Sequence, residues 1–159
     1  MTPARRSLFV RFLTVALALC LVLVSLLFTG LTQGERLATE ALRHLGAKYV
    51  LGQQGPERFD CSGLVLFCAE KEGITGLPRL AKDLYGMGRP VSASQLLPGD
   101  MLCFNTVRDS DPSDHVGFYL GGNQFVHASS SKRKVTVSDF DGYYLEKFTG
   151  ARRLGCGYL

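Results

Sequence analysis

No acidic residue occurs among the first 34 positions. All 14 lie beyond Gly34, whereas three of the 18 basic residues, Arg5, Arg6 and Arg11, precede it. The part from Glu35 onward carries 15 minus 14 charges, a net +1, so the basic pI of about 8.9 belongs mainly to the N-terminal segment. That balance excludes the broad positive surface on which nucleic-acid binding depends. The short run Lys132-Arg133-Lys134 reads as a solvated loop. Paired metal-ligand spacings are absent as well. There is no Cys-x-x-Cys and no His-x-x-x-His, so Cys61, His115 and His127 do not make a zinc site, and no cofactor is expected. Neither an internal repeat nor a low-complexity tract occurs. Residues 35–159 suffice for one compact core and are too few for two domains.

The basic start is followed by a run from Phe12 to Phe28 that is apolar except at Thr14 and Ser25. A basic flank before an apolar stretch marks export, the flank staying in the cytoplasm. The run has 17 residues, long for a signal-peptide core and short of the roughly 20 that a spanning helix needs. Residues 1–34 therefore read as a signal peptide, cleaved near Thr32-Gln33-Gly34, or as a retained membrane anchor extended by Thr29, Gly30 and Leu31. Either fate places residues 35–159 on the exported side of the cytoplasmic membrane.

Within the exported part, Glu35–Leu45 has Leu37, Ala41, Leu42 and Leu45 at helical spacing and Gly46 as a stop. His44, beside Arg43, falls off the apolar stripe and is expected in solvent. A second helix opens at Asp60 and ends near Gly73, burying Leu64, Phe67 and Cys68, and a third is expected over Arg79–Tyr85. After Leu97-Pro98-Gly99-Asp100 the pattern becomes strand-like, over Met101–Phe104, His115–Leu120, Gln124–Ala128, Lys134–Val137 and Ala151–Leu154. Gly121-Gly122-Asn123 makes a hairpin turn between two of these. Helices first and strands afterwards predict an α+β domain with N-terminal helices packed on an antiparallel sheet. Cys103 and Cys156 remain as a possible disulfide pair, since Cys20, Cys61 and Cys68 are otherwise placed.

The chemistry is concentrated at Asp60-Cys61-Ser62-Gly63, where an extended segment turns into a helix. Unpaired amides and the positive end of the helix dipole stabilise a thiolate there and are expected to lower its pKa. Only two histidines follow Cys61, namely His115 and His127, one on each side of the hairpin. His115 is the candidate base for Cys61, and His127 the candidate orienting group. The Cys61 amide is a candidate oxyanion donor. This constellation suits acyl transfer through a thioester, most simply amide hydrolysis. A non-catalytic protein binding peptides in the same cleft, and an acyltransferase acting on an amine or lipid, are the rival readings.

Four ordered motifs, Phe59-Asp60-Cys61-Ser62-Gly63, Leu97-Pro98-Gly99-Asp100, Asp114-His115-Val116-Gly117-Phe118-Tyr119-Leu120-Gly121 and Phe125-Val126-His127-Ala128, resemble the NlpC-type cell-wall cysteine peptidases from about Glu35 to Leu154. The resemblance implies a circularly permuted papain-like fold over residues 35–159 and a Cys61–His115–His127 triad. It further implies hydrolysis of peptidoglycan stem peptides, usually between γ-D-glutamate and the following diamino acid, by a monomer. Tyr49, Asp60, Ser62 and Arg79 then line the substrate end of the cleft, a carboxylate and hydroxyls being suited to orienting an amine and amides. Leu80, Ala81 and Leu84 replace the small hydroxylated residues and glutamine usual after that arginine, and Gln53 replaces a common glycine. Substrate preference is where these departures fall.

Overall fold

The computed structural model describes Thr14, Val15, Leu17, Leu19, Cys20, residues 30–107 and residues 112–155. The chain divides into two units, Met1–Leu31 and Thr32–Leu159. Apart from those five positions, the Phe12–Phe28 run lies outside the described residues. Among the described residues no helix is long and apolar enough to cross a membrane.

Helix α1, Gln33–Arg43, starts from a capping box. Thr32 Oγ1 accepts from the Glu35 amide at 3.2 Å, and Glu35 Oε2 accepts from the Thr32 amide at 2.7 Å. These two bonds satisfy donors that a helix start leaves orphaned, and they begin the helix two residues before the apolar periodicity does. Two short strands follow, β1 (Lys48–Tyr49) and β2 (Arg58–Phe59), and then α2, Cys61–Lys71. A one-turn α3, Ala81–Leu84, precedes β3 (Arg89–Val91), β4 (Met101–Phe104), β5 (His115–Gly121), β6 (Gln124–Ser129) and β7 (Lys134–Asp139). A short α4, Gly142–Lys147, leads into β8, Phe148–Arg153. Their order in the sheet is β2-β1-β7-β6-β5-β4-β8-β3. Its pairs are antiparallel, as expected, except that β1 pairs with β2 in parallel at one edge.

Alternation along the strands sends side chains to two faces. On one face Met101, Cys103, Val116, Phe118, Val126 and Ala128 meet Leu37 and Ala41 of α1 and Leu64, Val65 and Cys68 of α2. On the other, Leu102, Phe104 and Phe125 pack with Phe140, Tyr144 and Phe148. Cys68 is buried as expected. Cys103 is a free buried thiol, its pKa pushed up to about 12 by burial, and Cys156 lies outside the described residues.

One local reading changes, and two others gain detail. His44 is not a solvated histidine. It caps the end of α1, and its ring meets Phe59 and Phe67 edge-on with centroids 4.9 and 5.0 Å away. The helical stripe no longer applies where the chain leaves the helix. Asp100, in the Leu97-Pro98-Gly99-Asp100 motif, is buried and accepts from the Leu97 amide at 2.8 Å and from Arg153 Nε and Nη2 at 2.7 Å each. The motif therefore ties the turn before β4 to the end of β8. Lys132 reaches back onto the sheet, as described below.

Candidate active site

Helix α2 begins at Cys61 because Asp60 caps it, accepting from the Gly63 amide at 2.7 Å. Glycine is required at 63. A Cβ there would stand 2.1 Å from the Gln53 carbonyl oxygen, which itself accepts from the Asp60 amide at 2.9 Å. The loop at Gln53 is thus clamped against the first turn of α2. Gln53 takes part through its backbone, which explains how a side chain can replace a common glycine there.

The Cys61 sulfur lies 3.9 Å from the Asp114 carbonyl oxygen, placing the thiol beside the residue that leads into β5. Asp114 is held by three donors, the Thr106 amide and hydroxyl at 2.8 Å each and the Val107 amide at 2.6 Å. His115 opens β5. Its Nε2 lies 2.7 Å from His127 Nδ1 on β6, with the two rings nearly perpendicular. Gly117 allows the strands this approach, since a Cβ would come within 2.6 Å of the Val126 carbonyl oxygen and 2.9 Å of His127 Cβ. His127 is almost wholly enclosed, between Phe125 and Tyr144. Its Nε2 lies 3.0 Å from Ser138 Oγ on β7.

The electrostatics reverse one expectation. Burial, and then the Asp60 charge, push the Cys61 thiol above its ordinary value, and the amides of Val116, Ser62 and Cys61 only partly oppose them. The helix start alone does not generate a thiolate here. Desolvation lowers His115 to about 4 against a weaker opposing pull from Asp114. Desolvation, His115 and Lys132 lower His127 to about 2. Desolvation thus favours the neutral forms of the thiol and of both imidazoles.

On the other side of Cys61, Arg79 Nη1 and Nη2 donate to Asp60 Oδ1 and Oδ2 at 3.0 and 2.6 Å, and Nη1 reaches Ser62 Oγ at 2.7 Å. Asp60 also accepts from the Gly52 amide at 2.7 Å. Burial opposes ionisation of Asp60, but Arg79 and the two amides outweigh it and hold the carboxyl below the usual range. Tyr49 joins this group. Burial raises its phenol first, with Cys61 and Asp60 adding to the effect. Tyr49, Asp60, Ser62 and Arg79 are therefore brought together around Cys61, as the spacing alone could not show. Among the replaced positions after Arg79, Ala81 and Leu84 are buried in the core and Leu80 is exposed. A cavity of about 120 Å³ opens beside the imidazoles, lined by His115, His127, Thr106, Ser129, Tyr143 and Tyr144. Ser138 and Tyr144 were not singled out in the sequence, and Lys132 only as part of a solvated basic run, although strand alternation puts Ser138 on the face of His127. Among the described residues no cluster of metal-ligating side chains occurs.

A cysteine at a helix start, docked on a sheet whose adjacent strands bring two imidazoles together, defines a papain-like α+β domain. The chain belongs to the NlpC/P60 family, whose sequence profile matches residues 46–153. It is 38% identical over 116 residues to the gamma-DL-glutamyl hydrolase of Bacillus subtilis, across 72% of this chain and 28% of that protein. It is 37% identical over 109 residues to the murein DD-endopeptidase MepS/murein LD-carboxypeptidase of Escherichia coli strain K12, across 69% of this chain and 56% of that one. The solved structure of NlpC2 from Trichomonas vaginalis matches with a TM-score of 0.71 at 35% identity, over 78% of this chain and 47% of that one. The chain thus spans little more than half, or less, of each of these relatives.

Proposed function

We propose that the chain is a cysteine endopeptidase of peptidoglycan, acting in the cell envelope on the exported side of the membrane. It cuts stem peptides between γ-D-glutamate and the diamino acid. The observation that carries this reading is the His115–His127 contact beside Cys61. With His115 Nε2 committed to His127, Nδ1 is left to take the thiol proton. As Cys61 Sγ attacks the scissile carbonyl carbon, its proton passes to His115 Nδ1 and the carbonyl oxygen gathers charge near the Cys61 amide. The C–N bond then breaks, the imidazolium protonates the leaving amine, and an acyl thioester remains. Water, deprotonated by His115, attacks the thioester, and the proton returns to the sulfur as the acid is released.

Arg79 supports the choice of bond. A γ-linked glutamate carries a free α-carboxylate, and Arg79, about one-third exposed beside the helix start, is a cation suited to it. Asp60 has its acceptor sites filled within the protein, so its part is to aim Arg79 and Ser62. Tyr49 and Ser62 supply hydroxyls to the same end of the cleft. Residues 1–34 serve as signal peptide or membrane anchor, which N-terminal sequencing of soluble and membrane fractions distinguishes.

The test is mass analysis of muropeptides treated with the full-length chain under reducing conditions. Hydrolysis adds one water and leaves a new amine on the diamino acid. Cys61→Ala and His115→Ala abolish cleavage, whereas His127→Ala leaves a residual rate. Cleavage by Cys61→Ala at the normal rate would falsify the mechanism. Cutting at the peptide cross-link would replace the assigned bond, and transfer to an amine without addition of water would replace hydrolysis.

A further inference from the structure

The imidazole pair does not end at His127. Ser138 Oγ, 3.0 Å from His127 Nε2, stands on β7 two residues beyond Thr136, the residue directly opposite His127. The same hydroxyl accepts from Lys132 Nζ at 3.3 Å, and Tyr144 of α4 lines the same cavity as Ser138. Ser138 and His127 are both buried. Lys132 is exposed as a residue but fixed in the β6–β7 turn, where its amide donates to Ser129 Oγ at 3.2 Å.

Proton counting assigns these contacts. A serine hydroxyl has two acceptor positions and one O–H. An ammonium group can only donate, so Lys132 occupies one acceptor position. If Ser138 then donated to His127 Nε2, the His127 proton would sit on Nδ1 and point at His115 Nε2. His115 would carry its own proton on Nδ1 and could not accept one from Cys61. If Ser138 instead accepts from His127 Nε2–H, its O–H is free to turn into the cavity that Tyr144 also lines. His127 Nδ1 then accepts from His115 Nε2–H, and His115 Nδ1 is free.

We propose that Ser138 and Lys132 are positioning residues for the Cys61–His115–His127 array. Ser138 selects the His127 tautomer that leaves His115 Nδ1 open, and Lys132 opposes a second proton on His127. The idea rests on the reading of His115 as the base for Cys61. Its physical consequence is a bias in charge. Once His115 is protonated, its Nε2 proton already lies in a hydrogen bond to His127 Nδ1 whose nitrogens are 2.7 Å apart. Such a transfer would draw the cation away from the thiolate. The ammonium near Ser138 disfavours it, and Asp114, next to His115, favours keeping the charge where it is. Asp139, Asp141, Tyr143 and Tyr144 share the cavity outside Ser138 with Lys132, so the bias is a balance among these groups and weakens with salt.

The test uses the full-length chain, its Ser138→Ala, Ser138→Thr, Lys132→Met and Lys132→Arg variants, and two readouts. Multiple-bond ¹⁵N–¹H correlations report the His127 tautomer without any substrate, and steady-state kinetics on a muropeptide separate kcat from KM. The wild type is expected to carry the His127 proton on Nε2. Ser138→Ala mixes the tautomers and lowers kcat about tenfold, the worth of one ordinary hydrogen bond, with KM unchanged. Ser138→Thr restores both. Lys132→Met moves the acid limb of kcat to higher pH, less so at high salt, and Lys132→Arg moves it back. A wild-type proton on Nδ1, or a Ser138→Ala protein with unchanged tautomer and kcat, overturns the proposal. If the wild type cleaves no muropeptide, the endopeptidase reading fails while the tautomer of Ser138→Ala still decides the role of Ser138.

Discussion

His115 Nε2 stands 2.7 Å from His127 Nδ1, the two ring planes nearly perpendicular, with Ser138 Oγ 3.0 Å from the other nitrogen of His127. His127 is buried and His115 half-buried, desolvation keeps either from holding a proton readily, and the neighbouring thiol is pushed toward its neutral form as well. Under the proposed mechanism the reactive ion pair is therefore made during attack on a bound substrate.

Alkylation reads this directly. Iodoacetamide should modify Cys61 slowly at pH 6, no faster than a small free thiol, and the rate should climb only above the ordinary thiol range. Mass mapping of the labelled cysteine follows the reaction. A fast, pH-independent modification near pH 6 contradicts the neutral pair.

Acid should destabilise the fold through the same rings. His115 falls from 6.5 to about 4 on folding, and His127 from 6.5 to about 2. Below pH 6.5 the unfolded chain takes up protons that the folded one refuses, so stability present above that pH is lost progressively on acidification. Urea midpoints are expected to drop between pH 7 and pH 5. The drop should flatten in a His115→Gln/His127→Gln protein, and an equally steep drop there assigns it to other groups.

Arg79 should matter twice. Removing it in Arg79→Ala leaves the Asp60 carboxylate, 4% exposed, without its cation. The cost is about 2 kcal/mol of stability, the two backbone amides still holding the carboxylate. The KM for a γ-glutamyl stem peptide should rise at least about tenfold, as expected for one charge-assisted contact. Arg79→Lys recovers only part of either, since an ammonium cannot reproduce the fork. An unchanged KM removes Arg79 from the binding site.

The other buried pair should behave differently. Asp100 is 1% exposed and gripped by Arg153 through two nitrogens. Arg153→Met is expected to cost about 3 kcal/mol in denaturant unfolding. The kcat/KM of the folded fraction should stay near the wild-type value, because the pair joins the turn before β4 to β8 and lies apart from Cys61. A selective loss of kcat with unchanged stability contradicts that structural role.

Much of this was legible before any coordinates. Met101–Phe104 is a strand with the bounds that its pattern implies, and His115, Gln124 and Lys134 each begin a strand where alternation begins. Capping chemistry at Asp60 and the Gly121-Gly122-Asn123 turn are local, and local rules found them. The shortest elements escaped. Lys48–Tyr49 and Arg58–Phe59 are two residues each, too brief for any period, and their parallel pairing needs a partner ten residues away. Arg89–Val91 contains Pro90 and survives as an edge strand, where a missing donor costs little. Helix α4 has no side-chain cap and no buried residue to mark it.

Local order in the chain was enough to propose the chemistry. A cysteine placed where a strand becomes a helix, and two histidines across one hairpin, are properties of spacing, and spacing survives without coordinates. What the chain order could not carry was the environment of those groups. Burial turned the anticipated low-pKa thiol into a neutral one, folded Arg79 onto Asp60 and Ser62, and drew Lys132 out of a basic run to the far end of the imidazole line. Desolvation and long-range contact depend on every element that packs against a group, and only the folded chain brings those elements together.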